Sequence, residues 1–331
     1  MKRCYLPLLP LFLLLCHSVA AQQYPEMPEA RRLRYLQPPA EGKVRMVLDT
    51  DTWNEIDDQF ALVYALLSPR RLQLEAVYAA PFLNGRSSSA EDGMEKSYEE
   101  ILRVMERMNT PAEGLVYKGS RAFLQSTINP VPSPAADDLI EKALASPDDA
   151  PLYVVAVGAI TNVASAILKE PEIVKKMVVI WLGGDAPAWS NRPEFNLQQD
   201  VLAASVVMDS GVPFVQVPCE PVASHLLTSV PEMEQHVKGK GPVGDYLFEI
   251  FEDYRKGRYA WSKVIWDMAA VAWLTQPEAL RTEVIHSPIL SADKVTWGFD
   301  NNRHFIGMVK SLNRDAIFGD FFNKLNAASR K

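Results

Sequence analysis

A chain of 331 residues with a net charge of −7 and no basic stripe is a poor partner for a nucleic-acid polymer, and at 48% apolar it can bury a large core. Of its three cysteines two fall in the first sixteen residues, leaving Cys219 with no intrachain partner once a leader is removed. The five histidines are scattered without zinc spacing, so neither a disulfide framework nor a structural zinc site is expected.

Residues 1–21 read as a targeting segment. Lys2 and Arg3 give a positive start, Leu6 opens an apolar core, and Val19-Ala20-Ala21 is a small-residue cleavage site. Pro7 and Pro10 interrupt a run already too short to span a membrane. Export to a periplasm or the medium is expected, with a mature start near Gln22. Anchoring through Cys16 as a lipoprotein is disfavoured by the bulky Leu15 before it. Residues 22–42 are Pro-rich and charged and read as an extended lead-in, and 43–331 as one α/β domain.

The densest chemistry follows. Residues 44–48 form a short apolar strand, and Ile56, Phe60, Val63 and Leu67 recur at helical spacing until Ser68-Pro69. Between and around them stand Asp49, Asp51, Asp57 and Asp58, four carboxylates at the carboxyl end of one strand. Such groups repel unless protons or a cation neutralise them, and oxygen-only ligands favour Ca²⁺ or Mg²⁺. The plainer alternative has Asp57 and Asp58 complementing a helix dipole, with Asp49 and Asp51 as solvated turn residues.

Further on, residues 74–80 form a strand, 81–92 a loop with Asn84-Gly85 at a turn, and 93–108 a core-facing helix. Residues 152–157 form a strand, Gly158 a tight turn, and 163–168 a helix that Thr161-Asn162 is suited to cap. The strand at 177–182 ends in Gly183-Gly184-Asp185. A loop then carries Glu194 and Asn196, two residues apart and so facing one way on extended backbone. A helix at 200–209 and a strand at 212–217 come next. A helical pattern at 243–251 is followed by Asp267 at the head of the apolar helix 268–274, where it would serve as a simple cap. The tail holds a strand-like run at 304–309 and a helix at 315–325. This alternation predicts an open, largely parallel sheet with helices on both faces and active residues at the carboxyl ends of its strands.

Taken in order, these motifs resemble the inosine/uridine-preferring nucleoside hydrolase family. Asp49-Thr50-Asp51 with Ile56-Asp57-Asp58 resembles its amino-terminal signature, with an intervening loop two residues longer. The stretch from Gly158 to Asn162 resembles its Gly-x-Leu-Thr-Asn turn, Glu194-Phe195-Asn196 its Glu-Phe-Asn motif, and Asp267 its last metal aspartate. The resemblance implies hydrolysis of ribonucleosides to ribose and free base. It implies Ca²⁺ held by Asp51, Asp58, the carbonyl of Thr161 and Asp267, with Asp51 as general base. Asp57, Asn84, Glu194 and Asn196 would grip the ribose, and Asp49 would shape the loop.

Trp266 stands where many members carry a histidine that protonates the departing base. An indole has no useful acidity, so Trp266 would stack on the base or belong to the core, and protonation would fall to water or to a residue such as Tyr259. The implied partner is a small nucleoside, with no nucleic-acid polymer and no membrane span; a homo-oligomer stays open. Two alternatives stand beside this reading. One is a nucleoside- or ribose-binding protein on the same fold without turnover. The other is a Mg²⁺-dependent haloacid-dehalogenase-type phosphatase, opposed by Trp53 where that family has Thr or Val and by Asp57-Asp58.

Overall fold

Successive residues of the first strand point into different cores. Met46 and Leu48 pack on one side of the sheet and Val47 on the other, so the strand is covered on both faces, and its run of apolar residues follows from that. The structure is a computed structural model that describes residues 24–187, 193–291 and 297–330. The leader expected at 1–21 lies outside these residues.

Within them the first half of the chain runs α1 (Glu29–Tyr35), β1 (Val44–Thr50), α2 (Asp57–Leu66), β2 (Leu72–Ala79), α3 (Ala90–Arg107), β3 (Val116–Lys118), α4 (Pro134–Leu144), β4 (Leu152–Ala156) and α5 (Thr161–Lys169). Next come β5 (Met177–Leu182), α6 (Phe195–Gln199), α7 (Val201–Asp209), β6 (Phe214–Val217), β7 (Leu227–Ser229), α8 (Val230–His236), α9 (Gly241–Arg255) and β8 (Ser262–Val264). The chain ends with α10 (Met268–Thr275), β9 (Leu280–His286), β10 (Ile289–Leu290), β11 (Trp297–Gly298), β12 (Phe305–Leu312) and α11 (Arg314–Ala328).

An 8-stranded sheet has the order β3-β2-β1-β4-β5-β6-β12-β9. Every pair in it is parallel except β12 with β9. Helices α2, α9, α10 and α11 cover one face, through residues such as Phe60, Phe251, Trp273 and Phe321. Helices α4, α5 and α7 cover the other, through Leu139, Ile167 and Val207. The expected open, largely parallel α/β sheet is therefore present. Because the chain leaves β1 toward β2 on one side and returns to β4 on the other, the carboxyl ends of β1 and β4 border a crevice of the kind in which such sheets bind ligands.

One expectation is corrected. The lead-in is not extended throughout, since α1 forms within it and packs beside β12. Arg32 on α1 is 5% exposed, its guanidinium bonded to Glu29 at 3.0 Å and to the carbonyl of Gly211, and Glu29 accepts from the N–H of Phe305 at 3.3 Å. A short helix too weak alone is held by these tertiary contacts.

Asn162 ties the strand ends together under the crevice. Its Nδ2 donates to Asp49 at 2.7 Å and to the carbonyl of Ala79 at 3.3 Å, and its Oδ1 accepts from the N–H of Ser120 at 2.7 Å. Asn162→Ala is expected to leave buried groups of β1, β2 and the turn after β3 unsatisfied and to lower stability by about 3 kcal/mol. Urea unfolding of the two proteins measures this, and a loss under about 1 kcal/mol would mean that water replaces the amide.

Candidate active site

The carboxylates expected to gather do gather, but in a different grouping. Asp51 follows β1 and turns the chain, its carbonyl accepting from the N–H of Asn54 at 2.7 Å. Asp57 and Asp58 form the first turn of α2, where the free N–H groups of a helix start favour negative charge. Asp267 precedes α10. None of the four is more than 3% exposed. One oxygen each from Asp57, Asp58 and Asp267 lie within 4.8 Å of one another, whereas Asp51 sits beside this trio in hydrogen-bonding contact with Asp58. Asp57, expected on the ribose, thus stands in the acidic trio with Asp58 and Asp267.

Burial, with acidic neighbours second to it, pushes all four acids up. Burial raises Asp58 to about 7, helped by Asp57 and opposed by the Thr50 hydroxyl at 2.5 Å. Burial also raises Asp57 to about 6, with the Lys263 ammonium pulling it down and Glu55 pushing it up. Asp51 and Asp267 are driven well above the carboxylate range, first by burial and then by their acidic neighbours. Oδ2 of Asp51 and Oδ1 of Asp57 are buried without a hydrogen-bond partner. Crowded oxygen donors, some unsatisfied and with no nitrogen or sulfur among them, fit a hard divalent cation. Asp49 lies apart, buried on Asn162 and raised by burial to about 7.

The facing wall comes from β4 and β5. Gly158 follows β4 and presses on Asp51, and a Cβ there would meet Asp51 Cγ at 2.9 Å. Its carbonyl accepts from the Trp181 indole at 3.0 Å, which fixes the turn. Asn196 lines the site, both its amide hydrogens committed to the carbonyls of Val157 and Leu182 at 3.0 Å. Glu194 also lines it. Its carboxylate caps α6 through the N–H groups of Asn196 and Leu197, both at 2.9 Å, and accepts from Gly184 N–H at 2.7 Å and from Cys219 Sγ at 3.4 Å. Gly184 reaches it with a φ of 70°, which favours glycine. With four donors on two oxygens, the first task of Glu194 is to hold the wall. Burial raises its pKa, and the backbone N–H groups oppose the rise.

Thr161 is a correction. It opens α5, so its carbonyl enters the first helical turn, and its hydroxyl donates to Asp200 at 2.7 Å. It does not line the cavity. Val157, four residues earlier and just past β4, does, and its carbonyl is the one that reaches Asn196.

On the remaining side Asn84 donates to Asn54 Oδ1 at 2.5 Å and accepts from Arg86 N–H at 2.8 Å, and so is held at the rim. Trp266 lines the cavity too, half-buried, as an apolar wall. The space enclosed is about 300 Å³, at the lower end for a small-molecule site. Pattern reading missed Glu55 and Lys263. Lys263 is 8% exposed, its ammonium paired with Glu55 and 3.6 Å from Asp57. Burial alone would lower its pKa, but the two carboxylates outweigh that and raise it. A lysine five residues before an apolar helix carries no spacing signal, so only the fold reveals this fixed cation.

With this geometry in view, relatedness is decisive. Residues 46–318 match the family described as inosine-uridine preferring nucleoside hydrolase. The chain belongs to this family. The pyrimidine-specific ribonucleoside hydrolase RihA of Salmonella enteritidis is 29% identical over 266 residues, covering 72% of this chain and 81% of that protein. The non-specific ribonucleoside hydrolase RihC of Salmonella paratyphi A is 24% identical over 262 residues, with 72% and 81% covered. The fold matches the purine-preferring ribonucleoside hydrolase from Gardnerella vaginalis with a TM-score of 0.68 at 20% identity, covering 86% of this chain and 99% of that one. A solved inosine-guanosine nucleoside hydrolase gives 0.69 at 16%, covering 85% and 98%. Family membership sets aside the phosphatase alternative.

Two outcomes follow from the acid cluster. With Asp57 and Asp58 raised to about 6 and 7, the metal-free folded protein holds protons that the unfolded chain releases near pH 4, so its stability falls as pH rises through 6 and 7. A divalent cation needs the deprotonated oxygens, so the rise in Tm that it produces should grow from pH 5 to pH 8 and vanish in Asp58→Asn. Thermal scans with and without the ion check both. Gly158→Ala, in turn, should displace the Asp51 carboxylate, weakening ion binding in calorimetry while leaving the circular dichroism spectrum unchanged.

Proposed function

We propose that the protein is an exported, calcium-dependent hydrolase that cleaves the N-glycosidic bond of ribonucleosides to give ribose and free base. The observation that carries this is the buried aspartate cluster at the switch point of the sheet, with Asp51 Oδ2 unpartnered, in a chain of the nucleoside hydrolase family. The named relatives that are ribonucleoside hydrolases support the substrate class. Calcium is favoured over magnesium because flexible all-carboxylate and carbonyl sites suit the larger ion.

Asp57, Asp58 and Asp267 would hold the ion, with Asp51 at their side. Bound there, it supplies Lewis acidity for activating water at neutral pH and a binding point for the sugar diol. Asp51 Oδ2 takes the proton of the attacking water. The surrounding carboxylates favour the positive charge that grows on the ribose as the bond to the base stretches. Asn196, its amide hydrogens committed to Val157 and Leu182, offers its Oδ1 to the sugar hydroxyls, Asn84 borders the sugar from the rim, and Glu194 keeps Asn196 in place. Trp266 offers its face to the base and excludes water. It cannot protonate a leaving group.

That last point favours a second reading, a riboside-binding protein without turnover. One panel separates the two. Free ribose should accumulate from inosine or uridine, stop with chelator, and fall about 10²–10⁴-fold in kcat for Asp51→Asn. Binding without ribose release would establish the second reading. Because no acid stands in the histidine's place, p-nitrophenyl riboside should be cleaved faster than inosine or uridine. The reverse order would reveal another proton donor. Export is supported by the pattern of residues 1–21, and mass spectrometry of the native protein should find a start near Gln22. An intact Met1 would refute export.

A further inference from the structure

Beside the aspartate cavity lies a second hollow of about 480 Å³, and the two adjoin, with Asn54, Glu55 and Asn84 lining both. Its character is opposite. Three cations border it, Arg86 from the loop after β2 and Lys256 and Arg258 from the segment after α9. Among the described residues none of the three has a carboxylate within ion-pair distance, although the chain as a whole is acidic.

Two of these charges, Arg86 and Arg258, are held in place, while Lys256 is exposed. The Arg86 guanidinium lies 4.7 Å from the centre of the Trp53 ring and donates to the carbonyl of Glu55 at 3.0 Å, so stacking and a neutral acceptor fix it without neutralising it. Arg258 donates to the carbonyls of Arg255 and Tyr254 at 3.0 and 3.1 Å and stacks 4.9 Å from Trp261. Part of this complements the carboxyl end of α9, as cations at helix ends do. Arg86 has no such explanation, since it comes from another loop. Among the described residues, the one acid bordering the hollow, Glu55, is already engaged by Lys263 and by the Tyr254 hydroxyl at 3.2 Å.

We propose that the hollow between Arg86, Lys256 and Arg258 is a subsite for an anionic group, a phosphate monoester or a carboxylate, carried by the riboside outside its 2′,3′-diol. This rests on the reading of the aspartate cavity as a riboside site. The physical need is clear. An anionic substrate entering a cavity walled by aspartates is repelled unless its own charge is met nearby, and three unpaired cations at the mouth meet it. A neutral nucleoside would leave them unused.

The test compares uridine, uridine 5′-monophosphate and orotidine as substrates at low salt, with ribose and ribose 5-phosphate as calorimetric probes. An anionic riboside should exceed uridine by at least about tenfold in kcat/KM, the value of one charge-assisted hydrogen bond. Lys256→Ala/Arg258→Ala and, separately, Arg86→Gln should each erase about tenfold of that advantage and leave uridine unaffected. The monophosphate and orotidine distinguish phosphate from carboxylate. Equal rates for neutral and anionic substrates, or an advantage that survives both variants, overturns the subsite. If no riboside is hydrolysed, calorimetry decides alone: ribose 5-phosphate binding tighter than ribose and weakened by the variants supports it. Equal or absent binding overturns it.

Discussion

Four carboxylates buried side by side, three of them with oxygens within 4.8 Å of one another and the fourth, Asp51, in hydrogen-bonding contact with Asp58, are the constraint from which the rest of the site follows. Two like charges about 4–5 Å apart repel by about 3–4 kcal/mol even at an effective dielectric of about 20. Desolvation adds to that for every group held away from water. The molecule meets part of this with protons, part with the Thr50 hydroxyl and the α2 N-terminus, and leaves the remainder for a cation.

The surroundings can be understood as supports for that arrangement. The sheet brings the ends of β1, β4 and β5 side by side, and the absence of a side chain at Gly158 lets Asp51 lie against the neighbouring turn. Glu194 caps α6, anchors the turn at Gly184, and so presents Asn196. Lys263 acts as a resident counter-ion on the outer flank, beside Asp57 and Glu55. A cation built into the chain lowers the field at the rim, while the inner oxygens stay open to a diffusible one. The basic hollow beyond Glu55 continues the same division of charge.

Much of the fold was legible because its strands are buried on both faces. A continuous apolar run at residues 177–182 or 152–157 has few other uses in a chain that alternates with amphipathic helices. Elements with weak local signals were not legible. Helix α1 is stabilised by Arg32 and Glu29 reaching across the molecule, and the three-residue β3 owes its existence to pairing with β2. The site divides in the same way. Asp51 announced itself as an acid at a strand end, Asp58 and Asp267 as acids at helix starts, and Trp266 as an aromatic beside one of them. Val157 stayed hidden because a backbone carbonyl has no residue code, and Thr161 attracted notice because the motif around it is conspicuous.

The sequence by itself determined the central acids of the site, Asp51, Asp57, Asp58 and Asp267, and that they stand where strands turn into helices. Those are local properties, written in spacing and in capping chemistry. Only the tertiary structure decided the grouping. It set Asp57 with Asp58 and Asp267, moved Asp51 to the side against Gly158, replaced Thr161 with Val157 at the cavity, and brought Lys263 to Glu55 across more than two hundred residues. Distances between groups remote in sequence depend on how the sheet and its helices pack, and no local pattern records them.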